Sequence, residues 1–349
     1  MTLPDYLMMP SALLCAVLLD KVFGDPRRFH PLAGFGRIAA WIEARMNLHK
    51  KNCSPQRRGD AELTTNAKNH DSDPNPTRFA FLRVFASPRL AFFSRIFGTL
   101  AVLLLLVPFT AASFFISHIP LWGWFAQTLL LYFALGMNSL AQHARAVQDA
   151  LDAHDLDAAR RAVGMIVSRD TNNLQKEDAA KATIESVLEN GNDAVLGAVF
   201  WFVILGAPGA VAYRLANTLD AMWGYRTPRY FYFGWAAARL DDGLNLVPAR
   251  LTAISYALLG HTRQAWHCWR TQARHWYSPN AGPVMAAGAG ALGLVLGGAA
   301  QYHGAVKERP TLGFGRVVES HDISSAIQLV QRSLWLWVVL IFSGAFLYA

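Results

Sequence analysis

The chain has 349 residues, of which 53% are hydrophobic and 16% charged, with a formal net charge of +8 and a mean hydropathy of +0.21. A soluble domain carries about 25% charged residues, so the composition excludes an ordinary soluble protein and points to an integral membrane protein. The positive charge comes with no nucleic-acid-binding motif, so it reads as excess Lys and Arg on cytoplasmic loops, with no nucleic-acid partner.

The chain opens on an apolar stretch, 7–22, which contains no basic leader and no small-x-small cleavage site and therefore reads as a retained first membrane helix. Gly24-Asp25-Pro26-Arg27-Arg28-Phe29-His30-Pro31 and Gly34-Phe35-Gly36-Arg37 follow as a rigid turn. Residues 47–78 are polar and rich in Lys, Asn, Asp and Pro, a composition that cannot bury a core and reads as a disordered insertion. Arg27, Arg28, Arg37, Arg83, Arg89 and Arg95 place 24–95 in the cytoplasm. Two apolar runs, 90–119 and 121–137, form a membrane hairpin turning near Pro120, which returns 138–193 to the cytoplasm. There the pattern predicts helices over 141–153, 157–168 and 176–189, with Thr171, Asn172 and Asn173 as caps.

The apolar segment 194–216 is interrupted by Gly206-Ala207-Pro208-Gly209. Two half-helices that dip in and return on the same side are favoured over one crossing, because broken helices are tolerated where they line a cavity. Residues 246–260 and the Gly- and Ala-rich 283–301 either both cross or neither does, and 334–349 is a final apolar run. The fold class expected is an all-α, polytopic integral membrane protein with cytoplasmic helices and a re-entrant helical segment, built as one domain over 1–349. Cys15, Cys53 and Cys268 lie far apart and read as isolated thiols.

The candidate chemistry is acidic. Glu185, Glu189 and Asp193 recur at i, i+4 and i+8 on one helix face, either as a solvated stripe or as a divalent-cation and phosphate site. Asn217 and Asp220 are spaced i, i+3, and Asp241 and Asn245 i, i+4, so each pair presents oxygens on one face. Arg239 either pairs with Asp242 or faces a ligand, and Arg27 and Arg37 suit an anionic substrate. His30 is either structural or a proton acceptor. The aromatic stretches 223–235 and 266–277 read as membrane-interface markers, or as the wall of a flat ligand site. Phosphate-loop, dinucleotide, zinc-protease and serine-hydrolase motifs are absent.

Taken together, Gly24-Asp25-Pro26 through His30-Pro31, Arg169-Asp170-Thr171, Glu185-Ser186-Val187 through Glu189-Asn190, Asn217-Thr218-Leu219-Asp220, Arg239-Leu240-Asp241-Asp242 and Pro279-Asn280-Ala281-Gly282 resemble the CobD/CbiB family of cobalamin biosynthesis, the adenosylcobinamide-phosphate synthases. The likeness covers nearly the whole chain. One departure is Gly191-Asn192, where the family usually has Thr-Ser. The resemblance implies a multi-pass enzyme of the cell inner membrane with a cytoplasmic site. Its expected reaction joins aminopropanol, or aminopropanol phosphate, to the propionate carboxylate of adenosylcobyric acid, with ATP and Mg²⁺ and with carboxylate activation before amine attack. Under that reading His30, Glu189, Asp193 and Asp220 are catalytic, and Glu189, Asp193, Asp220, Asp241 and Asp242 hold metal. Arg27, Arg37, Asn217, Arg226, Arg239 and Asn280 bind substrate or phosphate. Contact with other late cobalamin-assembly enzymes and with the lipid bilayer is expected. Two rival classes fit parts of the pattern: a Mg²⁺-dependent membrane prenyltransferase, of whose Asp-rich motifs only fragments occur, and a membrane sensor or transporter.

Overall fold

The computed structural model describes residues 4–26, 30–48, 88–167, 169–302 and 305–349. Nearly all of the insertion expected at 47–78 therefore lies outside the described residues, as do Arg27, Arg28 and Arg83. Asn47 is described and corrects the start of that insertion: it is buried, and its side-chain amide donates to Glu43 and to the Arg229 carbonyl.

The first helix, α1 (Asp5–Phe23), ends at Gly24, whose φ of 62° suits a residue without Cβ. A second helix, α2 (Pro31–Met46), begins with Pro in its first turn, where its missing N–H costs nothing, and His30 caps it by accepting from the Leu32 N–H. The hairpin read from the sequence is α3 (Pro88–Ser117) and α4 (Gly123–Ala134). The latter is shorter than the run 121–137 predicted, because the chain leaves the helix at Leu135 and restarts at Met137. The helices expected over 141–189 are α5 (Met137–Asp152), α6 (Leu156–Val163) and α7 (Lys176–Gly191). Here α6 stops at Val163 rather than at 168. Gln175, not Thr171, Asn172 or Asn173, precedes α7, and it makes no side-chain cap bond.

A π-helical turn, Asn192–Leu196, joins α7 to α8 (Gly197–Trp223). At Gly206 the backbone takes φ 67° and ψ −160°, and the chain reverses there. A straight helix would put Gly197 and Tyr213 roughly 24 Å apart at 1.5 Å per residue. Instead a methyl group on Gly197 would collide with the Tyr213 ring and hydroxyl, and one on Gly209 with the Trp201 carbonyl. The two arms of α8 thus pack antiparallel, as the Gly-Ala-Pro-Gly break predicts, and both open ends reach the level of Asp193.

The remaining helices are α9 (Trp235–Leu244), α10 (Leu246–Leu259), α11 (Thr262–Gln272), α12 (Ala281–Leu292) and α13 (Asp322–Tyr348). Between the last two lie short antiparallel strand pairs, β1 (Val295–Gly297) with β4 (Thr311–Gly313) and β2 (Ala300–Tyr302) with β3 (Ala305–Lys307). Four segments are long and apolar enough to cross a membrane: Tyr6–Phe23, Pro88–Ser117, Lys176–Trp223 and Asp322–Tyr348. Exposed Leu103, Leu104, Val107, Val339 and Leu340 lie on two of them, α3 and α13. By contrast α12 is buried almost throughout, its glycines letting Leu188 of α7 and the Ala265 backbone of α11 approach closely. One core joins α1, α4, α5, α7, α10, α12 and α13, and a second joins α2, α3, α9 and the returning arm of α8. Trp223 and Phe233 belong to that second core, so the stretch 223–235 is packing more than an interface belt.

Candidate active site

Three elements converge where the helical hairpin opens: the end of α7 with its π turn, the returning arm of α8, and α9. A row of hydrogen bonds holds them in register. The Thr252 hydroxyl donates to Asn192 Oδ1 at 2.9 Å, and Asn192 Nδ2 donates to Asn245 Oδ1 and to Asp193 Oδ1 at 2.8 Å each. The Tyr213 hydroxyl also donates to Asn245 Oδ1, at 2.7 Å. Asn245 and Asn217 then donate to Asp241 Oδ1 at 3.1 and 3.2 Å. Gly191 admits the Tyr256 hydroxyl so closely that any Cβ there would collide with it. The Gly191-Asn192 departure is therefore built into the packing: glycine makes the space and Asn192 supplies the polar link.

Around this row stand Glu189, Asp193, Asp220 and Asp241, each within electrostatic reach of the others, with Asp242 adding to the field at Asp220. Glu185 is buried and Glu189 and Asp193 are half-buried, so the solvated-stripe reading is corrected. Among the described residues none of these five carboxylates forms an ion pair with Lys or Arg, and Arg239 does not pair with Asp242. Burial pushes the Asp241 carboxyl up to about 6, against the pull of the Asn217 and Asn245 amides. No three His, Cys, Asp or Glu side chains among the described residues enclose a metal ion by themselves. Half-buried carboxylates without an ion-pair partner, short of a full cage, fit Mg²⁺, which takes one or two carboxylates and completes its shell with phosphate oxygens and water.

Arg214 stands beside this cluster, one turn before Thr218. Its Nη1 lies 3.5 Å from the Asp193 carbonyl and 3.4 Å from Asn217 Oδ1, and its buried Nε has no partner among the described residues. Arg214 also lies in the field of Asp25, which links the turn after α1 to the hairpin. His30 stands edge-on to Phe133 with Nε2 buried and without a hydrogen-bond partner among the described residues. Burial lowers the imidazole below its ordinary 6.5, with Asp25 opposing and Arg214 adding to the effect, so the ring is neutral at pH 7.

A second polar cluster adjoins the first. Glu185 accepts from Arg309 through both oxygens at 3.0 and 3.1 Å, from Arg169, and from the Gly297 N–H at 2.8 Å. Beside it opens a cavity of about 140 Å³ lined by Arg169, Glu185, Glu189, Asn190, Trp276 and Arg309 among others.

Of the residues singled out from the sequence, Glu189, Asp193, Asn217, Asp220, Asp241 and Asp242 come together. Arg37, Arg226 and Arg239 are exposed. Asn280 is buried and fully engaged, accepting from Arg250 and donating to the Asp242 carbonyl, so it braces α9 rather than offering a free amide. Arg27 lies outside the described residues. Residues to which the sequence reading assigns no site role are Arg169, Asn192, Tyr213, Arg214 and Arg309. Tyr213 and Arg214 carried a readable signal, since they precede Asn217 by four and three positions on one helix face.

A multi-pass helical membrane protein with a broken helix and clustered, half-buried carboxylates at its open end is the class that fold and site define. The sequence profile of the family described as CobD/Cbib protein matches residues 13–330. A cobalamin biosynthesis protein CobD from Chromobacterium violaceum is 51% identical over 332 residues, covering 95% of each chain. Proteins of the same description from Stutzerimonas stutzeri and Mycobacterium tuberculosis are 48% and 37% identical, over 96% and 90% of this chain and 97% and 89% of their own. No solved structure matches it. This chain belongs to the CobD/CbiB family of cobalamin biosynthesis.

Proposed function

We propose that the protein is the ligase expected from its resemblance, forming the amide bond between aminopropanol, or its phosphate ester, and the propionate carboxylate of adenosylcobyric acid. The observation that carries this reading is the cluster of half-buried carboxylates, Glu189, Asp193, Asp220 and Asp241, without an ion-pair partner among the described residues. Such a set is costly unless a cation joins it. These residues would hold Mg²⁺, whose charge would neutralise the phosphate oxygens of ATP during carboxylate activation. Asn217 and Asn245 orient Asp241, and Arg214, beside Asn217, supplies positive charge. His30, neutral at pH 7, is the candidate to take the proton of the attacking amine at Nε2.

The cavity beside Glu189, at about 140 Å³, is below the roughly 300 Å³ at which drug-sized ligand sites begin, so it suits the small amine donor and leaves the corrinoid outside. Arg169 and Arg309 line it and would favour a phosphorylated donor. The site faces the cytoplasm of an inner-membrane protein, in keeping with the Arg-rich flanks of α1 and α3.

The test is reconstitution of purified protein with cobyric acid, each amine donor and ATP–Mg²⁺, reading the corrinoid by mass. The expected result is a corrinoid heavier by the donor less water, dependent on Mg²⁺. Loss of an orienting partner of a metal ligand costs about 10–100-fold in affinity, so Asn217→Ala is expected to raise the Mg²⁺ concentration for half-maximal turnover by that factor. Asp220→Asn is expected to abolish most turnover. Unchanged turnover in Asp220→Asn would remove it from the metal site, and no mass shift with either donor would sink the ligase reading.

A further inference from the structure

Between Asp242 and Glu308 the sequence contains no Asp or Glu, and α11 lies inside that stretch. Arg263, His267 and Arg270 recur along it at helical spacing and share one face, and Arg274 follows in the single 3-10 turn Ala273–His275. The opposite face buries Ala265 and Cys268. Gly290 of α12 receives the Ala265 backbone so closely that a Cβ would not fit, which fixes the face that looks outward. That outward face lines an open groove of about 700 Å³, formed by Arg263, Trp266, His267, Arg270 and Arg274 with Thr262 and Thr271. Among the described residues Arg263 and Arg270 have no ion-pair or hydrogen-bond partner for their guanidinium groups, and Arg274 meets only the neighbouring His275 ring. The groove is a row of uncompensated cations.

Its surroundings narrow the occupant. Gly260 carries the chain from α10 into α11 with the Ala291 carbonyl pressed against it. On α10, Val247, Ile254 and Leu258 are exposed at i, i+7 and i+11, an apolar stripe with no partner among the described residues, and Trp266 on α11 is 48% exposed. Apolar residues, then Trp, then Arg is the order of environments met on passing from acyl chains to headgroups. We infer that α11 seats the phosphodiester headgroups of anionic phospholipids, while the exposed side of α10 lies against their chains. Free phosphate offers the same oxygens to the guanidinium groups but nothing to α10, so the lipid is the occupant that satisfies both.

The test uses the full chain in nanodiscs of equal phosphatidylglycerol and phosphatidylcholine, with native mass spectrometry of the lipids retained after release. Wild type is expected to retain phosphatidylglycerol in preference. Each surface cation contributes about fivefold, so R263Q/R270Q/R274Q is expected to lower that preference roughly a hundredfold. The charge-keeping R263K/R270K/R274K is expected to retain it. Raising salt from about 0.1 to about 1 M, which shortens the screening length from about 10 to about 3 Å, is expected to erase it. Equal retention of both lipids by wild type overturns the inference, as does a preference that survives in the Gln variant or at high salt. Displacement of phosphatidylglycerol by millimolar inorganic phosphate would make this a soluble-anion site and also overturn it. Should the Gln variant fail to fold, the Lys variant and the salt titration of wild type decide.

Discussion

Two buried carboxylates, Glu185 and Glu43, are held by arginine in settings that differ in their access to water. Glu185 sits between Arg169 and Arg309, with all three side chains at most 8% exposed. Replacing it with Gln leaves two buried guanidinium groups without a counter-charge, which costs about 3–5 kcal/mol. Glu43 is as buried, but its partner Arg229 is 41% exposed. Solvent screens that pair, and Asn47 remains as a donor to Glu43 in its absence, so Arg229→Gln is expected to cost less, about 1–2 kcal/mol. Unfolding in detergent, read as the shift in midpoint, checks the order of the two. His30 gives a pH prediction of definite sign. Its folded value lies below 6.5, so below pH 6.5 the unfolded chain binds a proton that the folded chain does not. Stability therefore falls as pH drops from 6.5 toward the folded value, and His30→Gln is expected to flatten that limb. An unchanged limb in the variant would assign the loss to another group. At this scale the acidic residues were legible because carboxylates at helical spacing beside apolar sequence are rare. Their arginine neighbours were not: Arg309 reaches Glu185 across 124 positions, and no local pattern encodes that distance.

The helical hairpin is the element on which the site depends, and it can be tested twice. Gly206 holds φ 67° with ψ −160°, a region closed to residues with Cβ, so Gly206→Ala is expected to destabilise by about 1–3 kcal/mol. The reversal also fixes sidedness. With Cys15, Cys53 and Cys268 replaced by Ala, single cysteines at exposed Met165 and Tyr225 are expected to react with an impermeant thiol reagent from the same side of sealed vesicles. Labelling from opposite sides would mean that 194–216 crosses once. This element was readable from the chain because two glycines and a proline interrupt an apolar run. The strand pairs within 295–313 were not, since three-residue strands are too short for alternation to register. The gap between α4 and α5 was missed for a related reason: Leu135 and Gly136 sit inside continuous apolar sequence, and the break is enforced by Gly136 donating its N–H to the Ala194 carbonyl.

At the scale of the molecule, composition and apolar runs were enough for a helical, multi-pass protein, while the arrangement of its polar half rests on contacts between distant segments. The hairpin has a consequence for the order in which the protein is made. Its tip breaks the helical hydrogen-bond ladder, and in hydrocarbon each open backbone group costs several kcal/mol. Such a turn is stable at membrane depth only when protein already surrounds it. The wall that shields it comes from α3 and α4, which pack along both arms and place Gln127 beside Gly206, and both helices precede the hairpin in the chain. Synthesis from the N-terminus thus raises the receiving wall before the broken helix emerges, so a permuted chain that delivers 176–223 ahead of 88–134 is expected to stall in insertion and be degraded.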